Sequence, residues 1–186
     1  VKLGETTTTG DSEGELIEQR DVSGLDKARV EQVATSFIGD ILQVPPMYSA
    51  LKHQGKRLYQ LAREGVEVER PARPVSIFDL QIVSCELPEL LIDVHCSKGT
   101  YIRTLAEDIG EALGVGGHIT SLRRATLGPF TDLPMHTLEE IEQSLESGED
   151  DWQQWLLEAD SALMDWPAVQ LSDELAFFLC QGQPVF

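Results

Sequence analysis

Ser97-Lys98-Gly99-Thr100-Tyr101-Ile102-Arg103-Thr104 is the stretch with the most chemistry in it. It joins a strand-like run to a helix-like run through a glycine. Lys98, Tyr101 and Arg103 come close together at that junction. In a strand-like register Tyr101 and Arg103 share a face. A ring that stacks beside a fixed cation suits a flipped nucleobase and a carboxylate. By itself the octapeptide reads as the polar end of a hairpin with one surface salt bridge.

Other candidate chemistries are weaker. Gly114 to Gly117 carries neither a GxGxxG nor a Walker pattern and reads as a helix end followed by a turn. His53, His95, His118 and His136 show no zinc spacing. No nucleophile elbow accompanies a serine. The three cysteines, Cys85, Cys96 and Cys180, are not spaced like metal ligands. Arg123-Arg124 suits a phosphate backbone, although such a pair alone is usually surface.

The elements that position these residues read as α+β. Thr6 to Gly14 is a polar loop, and Leu16-Ile17 opens a short extended piece. Val30, Val33, Phe37 and Ile41 recur at helical spacing, predicting an amphipathic helix over Asp26 to Leu42 that Pro45-Pro46 stops. Leu58, Leu61 and Ala62 predict a short helix ended by Gly65. Val75 to Cys85 and Leu90 to Cys96 are two strands turning at Leu87-Pro88-Glu89, with Leu90, Ile92, Val94 and Cys96 on one face. Thr104 to Leu113 is a helix, and His118 to Leu127 returns toward the sheet. Thr137-Leu138-Glu139-Glu140 is a capping box. A second helix passes through Trp152, Leu156 and Leu157, and Ser172 caps a last one over Asp173 to Cys180. No βαβ rhythm is present, so the sheet is mixed or antiparallel with flanking helices.

The 186 residues are 41% hydrophobic and 25% charged, enough for a core without disulfides or metal. A net charge of −18 argues at first against nucleic acid, but its distribution is uneven. Residues 51 to 130 hold ten Lys/Arg against ten acids, whereas residues 131 to 186 hold thirteen acids and no Lys or Arg. The acidity therefore reads as a solvated surface at the two ends, where a change such as Glu149→Ala is expected to do little. No apolar run spans a bilayer and no leader is visible, so a cytoplasmic protein is expected. Val1 and the apolar Pro184-Val185-Phe186 run both read as points inside a longer chain.

Taken together, the motifs are specific. Pro45-Pro46-Met47-Tyr48-Ser49-Ala50-Leu51-Lys52 precedes Gly55-Lys56-Arg57-Leu58-Tyr59. Arg70-Pro71-Ala72-Arg73-Pro74-Val75 follows, then the Lys98 to Thr104 stretch, then Gly117-His118-Ile119 and Leu122-Arg123-Arg124. In order and spacing they resemble the bacterial tRNA pseudouridine synthase B family, from about Leu3 to Phe130 and more weakly to the end.

The resemblance implies a pseudouridine-synthase catalytic fold over residues 1–165 and, over 166–186, the opening of a PUA-like RNA-binding domain. It implies isomerisation of a T-loop uridine of tRNA, position 55, with an aspartate nucleophile and neither metal nor cofactor. The protein is expected to act on the tRNA T-stem-loop, away from membranes, as a monomer. Arg103 matches the arginine that pairs with the nucleophile, Tyr101 a ring lining the uridine pocket, and Leu122 an apolar residue packing on the base. Lys52, Lys98, Arg123 and Arg124 are candidate RNA contacts or pocket supports. Asp11 and Gly14 match a Thr-Asp-Thr-x-Asp-x-x-Gly loop in which Thr8 replaces the first aspartate. The family's Gly-x-Leu-Asp motif belongs upstream of Leu3. Gly24-Leu25-Asp26 echoes it, but Asp26 stands at a helix start, so these residues alone are expected to be inactive. A non-catalytic RNA-binding module of the same fold is the alternative reading, and an acidic protein-interaction domain is a further one.

Overall fold

The computed structural model describes residues 1–147 and 150–185; Glu149 and Phe186, both named above, fall outside them. The chain forms two compact units, Val1–Leu122 and the residues from Arg123 on.

The first unit is an antiparallel sheet with helices against one face. In chain order it contains β1 (Lys2–Leu3), β2 (Glu5–Thr7), β3 (Leu16–Gln19), α1 (Lys27–Thr35), β4 (Gly39–Gln43), β5 (Lys52–His53), β6 (Lys56–Arg57) and α2 (Leu58–Arg63). Then come β7 (Arg73–Glu86), β8 (Glu89–Cys96), α3 (Ile102–Ala112) and β9 (Gly117–His118). The main sheet is five-stranded in the order β4-β7-β8-β1-β9, and every recorded pairing in it is antiparallel. This is the expected α+β class with an antiparallel sheet.

The β7–β8 hairpin forms where the alternation placed it, and Leu90, Ile92, Val94 and Cys96 take the less exposed positions of β8. β7 alternates only in part because its register with β8 shifts between Ile77 and Asp79 and again between Ile82 and Ser84. Each shift inserts an extra residue and turns the following side chains over. Phe78 and Val83 are left exposed.

Two expectations need correction. The helix over Asp26 to Leu42 ends at Thr35, and Gly39 to Gln43 is strand β4, paired with β7 from Gly39↔Ile77 to Gln43↔Arg73. Gly39 has φ +113°, a backbone that breaks the helix. Val33, Phe37 and Ile41 all still face one apolar cluster. Their spacing reported a shared destination rather than one continuous helix. The loop expected from Thr6 to Gly14 is shorter, because Glu5–Thr7 pairs with Leu16–Gln19 as a small hairpin.

The core lies between α1, α3 and the sheet. Val33 and Ala34 of α1, Ile77 and Leu80 of β7, and Leu105 and Ile109 of α3 make one cluster. Leu3, Val30, Leu90 and Val115 make another. Fully burying an aliphatic side chain of this size contributes about 1.5–3 kcal/mol, so α3 is anchored chiefly through its apolar face. That anchoring matters because α3 begins at the residues singled out for chemistry.

The second unit contains α4 (Leu138–Ser147), a 3₁₀ helix at Asp150–Trp155, another at Ser161–Leu163, and α5 (Asp173–Cys180). The capping box is reciprocal. The Thr137 backbone N–H donates to Glu140 Oε2 at 2.8 Å, and the Glu140 N–H donates to Thr137 Oγ1 at 3.1 Å. Ser172 caps α5 by accepting from the Leu175 N–H at 3.4 Å. The helix expected through Trp152, Leu156 and Leu157 is instead the 3₁₀ helix, and the two leucines follow it. Among the described residues no helix is long and apolar enough to cross a membrane.

Candidate functional site: a fixed guanidinium at the start of α3

Helix α3 starts at Ile102, with Tyr101 at its N-cap. Tyr101 and Arg103 therefore do not share a strand face, as their spacing had led us to expect. Arg103 lies in the first turn and reaches three acceptors on two other segments. Its Nη1 donates to the Thr9 carbonyl at 3.0 Å and to Asp11 Oδ2 at 3.1 Å. Its Nη2 donates to the Tyr48 carbonyl. A guanidinium held by two carbonyls and a carboxylate has a fixed plane, which an ammonium cannot reproduce.

The loop carrying Thr9 and Asp11 is built to meet it. Thr7 Oγ1 donates to the Asp11 carbonyl at 2.7 Å, and Thr8 N–H donates to the Glu15 carbonyl at 3.0 Å. Thr8 Oγ1 also accepts from the Glu15 N–H at 3.1 Å, so Thr8 closes the loop through both its backbone and its side chain. Thr9 Oγ1 donates to Asp11 Oδ1, which also accepts from the Glu13 N–H at 3.2 Å.

This loop is tied back to α3 through β9. The Ile119 N–H donates to the Gly10 carbonyl at 3.1 Å, and Asp11 bridges Ile119 in parallel fashion. β9 in turn lies hard against α3 at Gly110, where an added Cβ would sit 2.3 Å from the Gly116 carbonyl carbon. One end of α3 thus carries Arg103, and the other braces the strand that positions Asp11.

The carboxylates here are perturbed in opposite directions. Burial pushes the Asp11 carboxyl up, but the Thr9 hydroxyl, the Glu13 N–H and the Arg103 charge together outweigh it and hold Asp11 below its ordinary value. Glu107, one turn along α3 from Arg103, is raised, chiefly by burial and then by the neighbouring Asp108 charge, against the opposing pull of Arg103. Asp108 is raised by burial as well.

A cavity of about 330 Å³ adjoins the node, with Thr9, Tyr48, Pro45, Pro46, Arg70, Thr104 and Glu107 in its wall. Thr9 and Tyr48 are also the residues whose carbonyls hold Arg103, so the cavity and the guanidinium share a wall. The Thr104 hydroxyl and the Arg70 Nε are buried and have no hydrogen-bond partner among the described residues.

Of the residues singled out from sequence, Arg103 enters this node directly. Tyr101 is half-buried and bonds through its backbone to Gln43 at both its N–H and its carbonyl. Leu122 is 62% exposed and does not line the cavity beside Arg103. Lys98 is exposed in the loop before α3. Lys52 is exposed on β5, across from Arg57 in a basic two-stranded hairpin. Arg123 and Arg124 are exposed and belong to the second unit. Asp26, the aspartate of Gly24-Leu25-Asp26, caps α1, its Oδ1 accepting from the Arg29 N–H at 2.7 Å. Among the described residues no group of three or more His, Cys, Asp or Glu side chains is arranged to hold a metal ion.

Sequence reasoning named Asp11 as part of a loop motif and missed it as the partner of Arg103. It named Arg70 only as the start of the Arg70 to Val75 motif and missed Gln43 and Glu107. A threonine-rich loop holding one aspartate was a signal for Asp11; nothing in the spacing marked Gln43 or Glu107.

The profile described as TruB family pseudouridylate synthase (N terminal domain) matches residues 1–102, and that described as tRNA pseudouridylate synthase B C-terminal domain matches residues 103–164. The tRNA pseudouridine synthase B of Nitrosococcus oceani is 50% identical over 184 residues, which is 99% of this chain and 60% of that protein. That of Pseudomonas putida strain F1 is 50% identical over 186 residues, 100% of this chain and 61% of its own length. The chain thus spans about 60% of the length of these curated relatives. Among solved structures, a chain of a Cbf5-Nop10-Gar1 complex superposes with a TM-score of 0.55 at 30% identity, covering 70% of this chain and 35% of that one.

Proposed function

We propose, since the chain belongs to the TruB family of pseudouridylate synthases, that the whole protein converts the T-loop uridine of tRNA, position 55, to pseudouridine. The observation that carries the reading is the fixed guanidinium of Arg103, presented at the start of α3 by partners on two distant segments.

In this reading a uridine leaves its stack and enters a pocket beside the Tyr101 ring, with Leu122 packed on the base. An aspartate attacks as nucleophile, the N-glycosidic bond breaks, the base turns, and it rejoins the ribose through carbon. Arg103 holds the nucleophilic carboxylate in place and keeps it ionised. Asp26 is not that nucleophile, because its carboxylate is engaged as a helix cap. The resemblance assigns the nucleophile to the Gly-x-Leu-Asp motif upstream of Leu3, and Asp11, the carboxylate that Arg103 already holds, braces the guanidinium that meets it. Lys52, Lys98, Arg123 and Arg124 meet the RNA backbone, where cations supply salt-sensitive affinity. Residues 1–165 belong to the catalytic domain, and 166–186 open a PUA-like RNA-binding domain. The protein works in the cytoplasm as a monomer, on the tRNA T-stem-loop, without metal or cofactor.

The test is pseudouridine formation on a T-stem-loop RNA by the whole protein and, in parallel, by residues 1–186. The whole protein is expected to modify a single uridine and the shorter piece none. Robust product from residues 1–186 overturns the assignment of the nucleophile to another segment. Tight RNA binding by a whole protein that forms no product favours a non-catalytic RNA-binding module instead.

A further inference from the structure

Gln43 ends strand β4 and is only 2% exposed. A primary amide so deeply buried is costly unless both its donor and its acceptor are used. Both are, and both by one residue. Gln43 Nε2 donates to the Tyr101 carbonyl at 3.1 Å, and the Tyr101 N–H donates to Gln43 Oε1 at 2.8 Å. The side chain thus imitates a strand neighbour for a residue 58 positions away.

Tyr101 depends on that contact. It is the N-cap of α3, yet its own side chain makes no capping hydrogen bond. Its carbonyl also takes the first helical bond, from the Leu105 N–H at 3.0 Å. The other end of the loop is tied to β7, where Ser97 and Ser76 exchange hydrogen bonds: Ser97 N–H to the Ser76 carbonyl at 2.8 Å, and Ser76 N–H to Ser97 Oγ at 2.9 Å. Between the two ties sits Gly99 at φ +87°. The turn is closed across its middle by the Thr100 hydroxyl, which donates to the Ser97 carbonyl at 2.9 Å, and is clamped at both ends.

We infer that Gln43 is a positioning residue of the uridine site, its amide setting the Tyr101 backbone and through it the stance of the Tyr101 ring. This rests on the function proposed above. Gln43 bonds to Tyr101, whereas Arg103 bonds to Thr9, Asp11 and Tyr48, so the influence of Gln43 runs through the peptide at Tyr101. Gln43→Leu keeps the volume and deletes both hydrogen bonds. Gln43→Glu keeps the acceptor for the Tyr101 N–H and loses the donor to its carbonyl.

The experiment measures single-turnover pseudouridine formation on a T-stem-loop by the whole protein at saturating enzyme, per folded molecule, with RNA affinity measured separately. Gln43→Leu is expected to slow the reaction roughly 10- to 100-fold, and Gln43→Glu less, with RNA affinity within about threefold of wild type. The decisive readout is a cycle with Tyr101→Ala. If Gln43 acts through Tyr101, Gln43→Leu adds little to the loss already caused by Tyr101→Ala, because coupled residues are not additive. Wild-type rates for both Gln43 variants overturn the inference. So does an undiminished Gln43→Leu loss in the Tyr101→Ala background, which is the mark of a merely structural role, and so does a loss confined to RNA affinity. If Gln43→Leu fails to fold, Gln43→Glu carries the same cycle. A wild-type protein that forms no pseudouridine fails the functional reading itself, and an active wild type with indifferent variants fails only Gln43.

Discussion

Arg103 and Asp11 stand 92 positions apart in the chain and 3.1 Å apart in space. Each keeps roughly a quarter of its side chain exposed, so water weakens the pair's Coulomb attraction. Its value lies in geometry. Asp11 is fixed by Thr9 and Glu13, and Arg103 by two backbone carbonyls. Each side chain is thus held by partners besides the other, so little of the side-chain entropy cost falls on the pair alone.

In the whole protein Arg103→Ala is expected to slow pseudouridine formation roughly 10- to 100-fold, corresponding to the ~1.5–3 kcal/mol of a charge-assisted hydrogen bond. Arg103→Lys should rescue poorly, since one ammonium cannot meet three acceptors held in a plane. Single-turnover kinetics with separate RNA-binding measurements check this. Wild-type turnover by Arg103→Ala removes the residue from the mechanism. Lost binding with intact chemistry assigns it to recognition.

The opposite shifts of Asp11 and Glu107 give opposite dependences on pH. Asp11 is depressed, so its contribution to stability is present above the unfolded carboxylate value and is lost as pH falls through its lower folded value. Glu107 is raised, so the folded protein binds its proton more tightly. Its contribution therefore falls as pH rises from the unfolded carboxylate value through the raised one. Thermal melts from acid to neutral pH are expected to show Glu107→Gln melting above wild type at neutral pH, with the difference closing in acid. Asp11→Asn should do the reverse, losing stability at neutral pH and converging with wild type in acid. A Glu107→Gln difference independent of pH sinks the argument from burial.

Local chemistry was readable in the sequence wherever a signal and its partner lay close together. Ser172 and Thr137 cap their helices as their spacing required, and the β7–β8 hairpin turned where alternation broke. Strand β4 was hidden because Val33, Phe37 and Ile41 face one cluster across a change from helix to strand. Periodicity reports burial, and Gly39 alone marked the change of backbone. The Arg103–Asp11 pair and the Gln43 clamp join segments that only the folded sheet brings together, and no spacing rule reaches across them.

Gly110→Ala should reverse the usual rule for helices. Alanine inside a helix is ordinarily favoured over glycine by about 1 kcal/mol. Here the new methyl would lie 2.3 Å from the Gly116 carbonyl carbon and 2.4 Å from the Gly117 nitrogen, which are backbone atoms that cannot swing aside. Overpacking of this kind costs about 1–3 kcal/mol. Denaturant unfolding is expected to show a net loss. Since β9 positions the Asp11 loop, modification activity should fall as well, even where the variant is fully folded. A Gly110→Ala protein as stable as wild type refutes the close packing of α3 on β9.

Leu122 offers the sharpest separation of folding from function. At 62% exposed it contributes little to the core, and substitutions at such positions usually change stability by less than about 0.5 kcal/mol. Leu122→Ala should therefore melt close to wild type. If Leu122 packs against the uridine base, trimming it removes apolar contact from the reacting complex. A hydrophobic pocket contact of this size is worth roughly 1–3 kcal/mol, or about 10- to 200-fold in the specificity constant. Thermal melting and single-turnover modification of a T-stem-loop, measured on one preparation, separate the two effects. An unchanged melt with slowed modification supports the pocket role. An unchanged melt with unchanged modification leaves Leu122 as an ordinary exposed leucine and puts the base against some other surface.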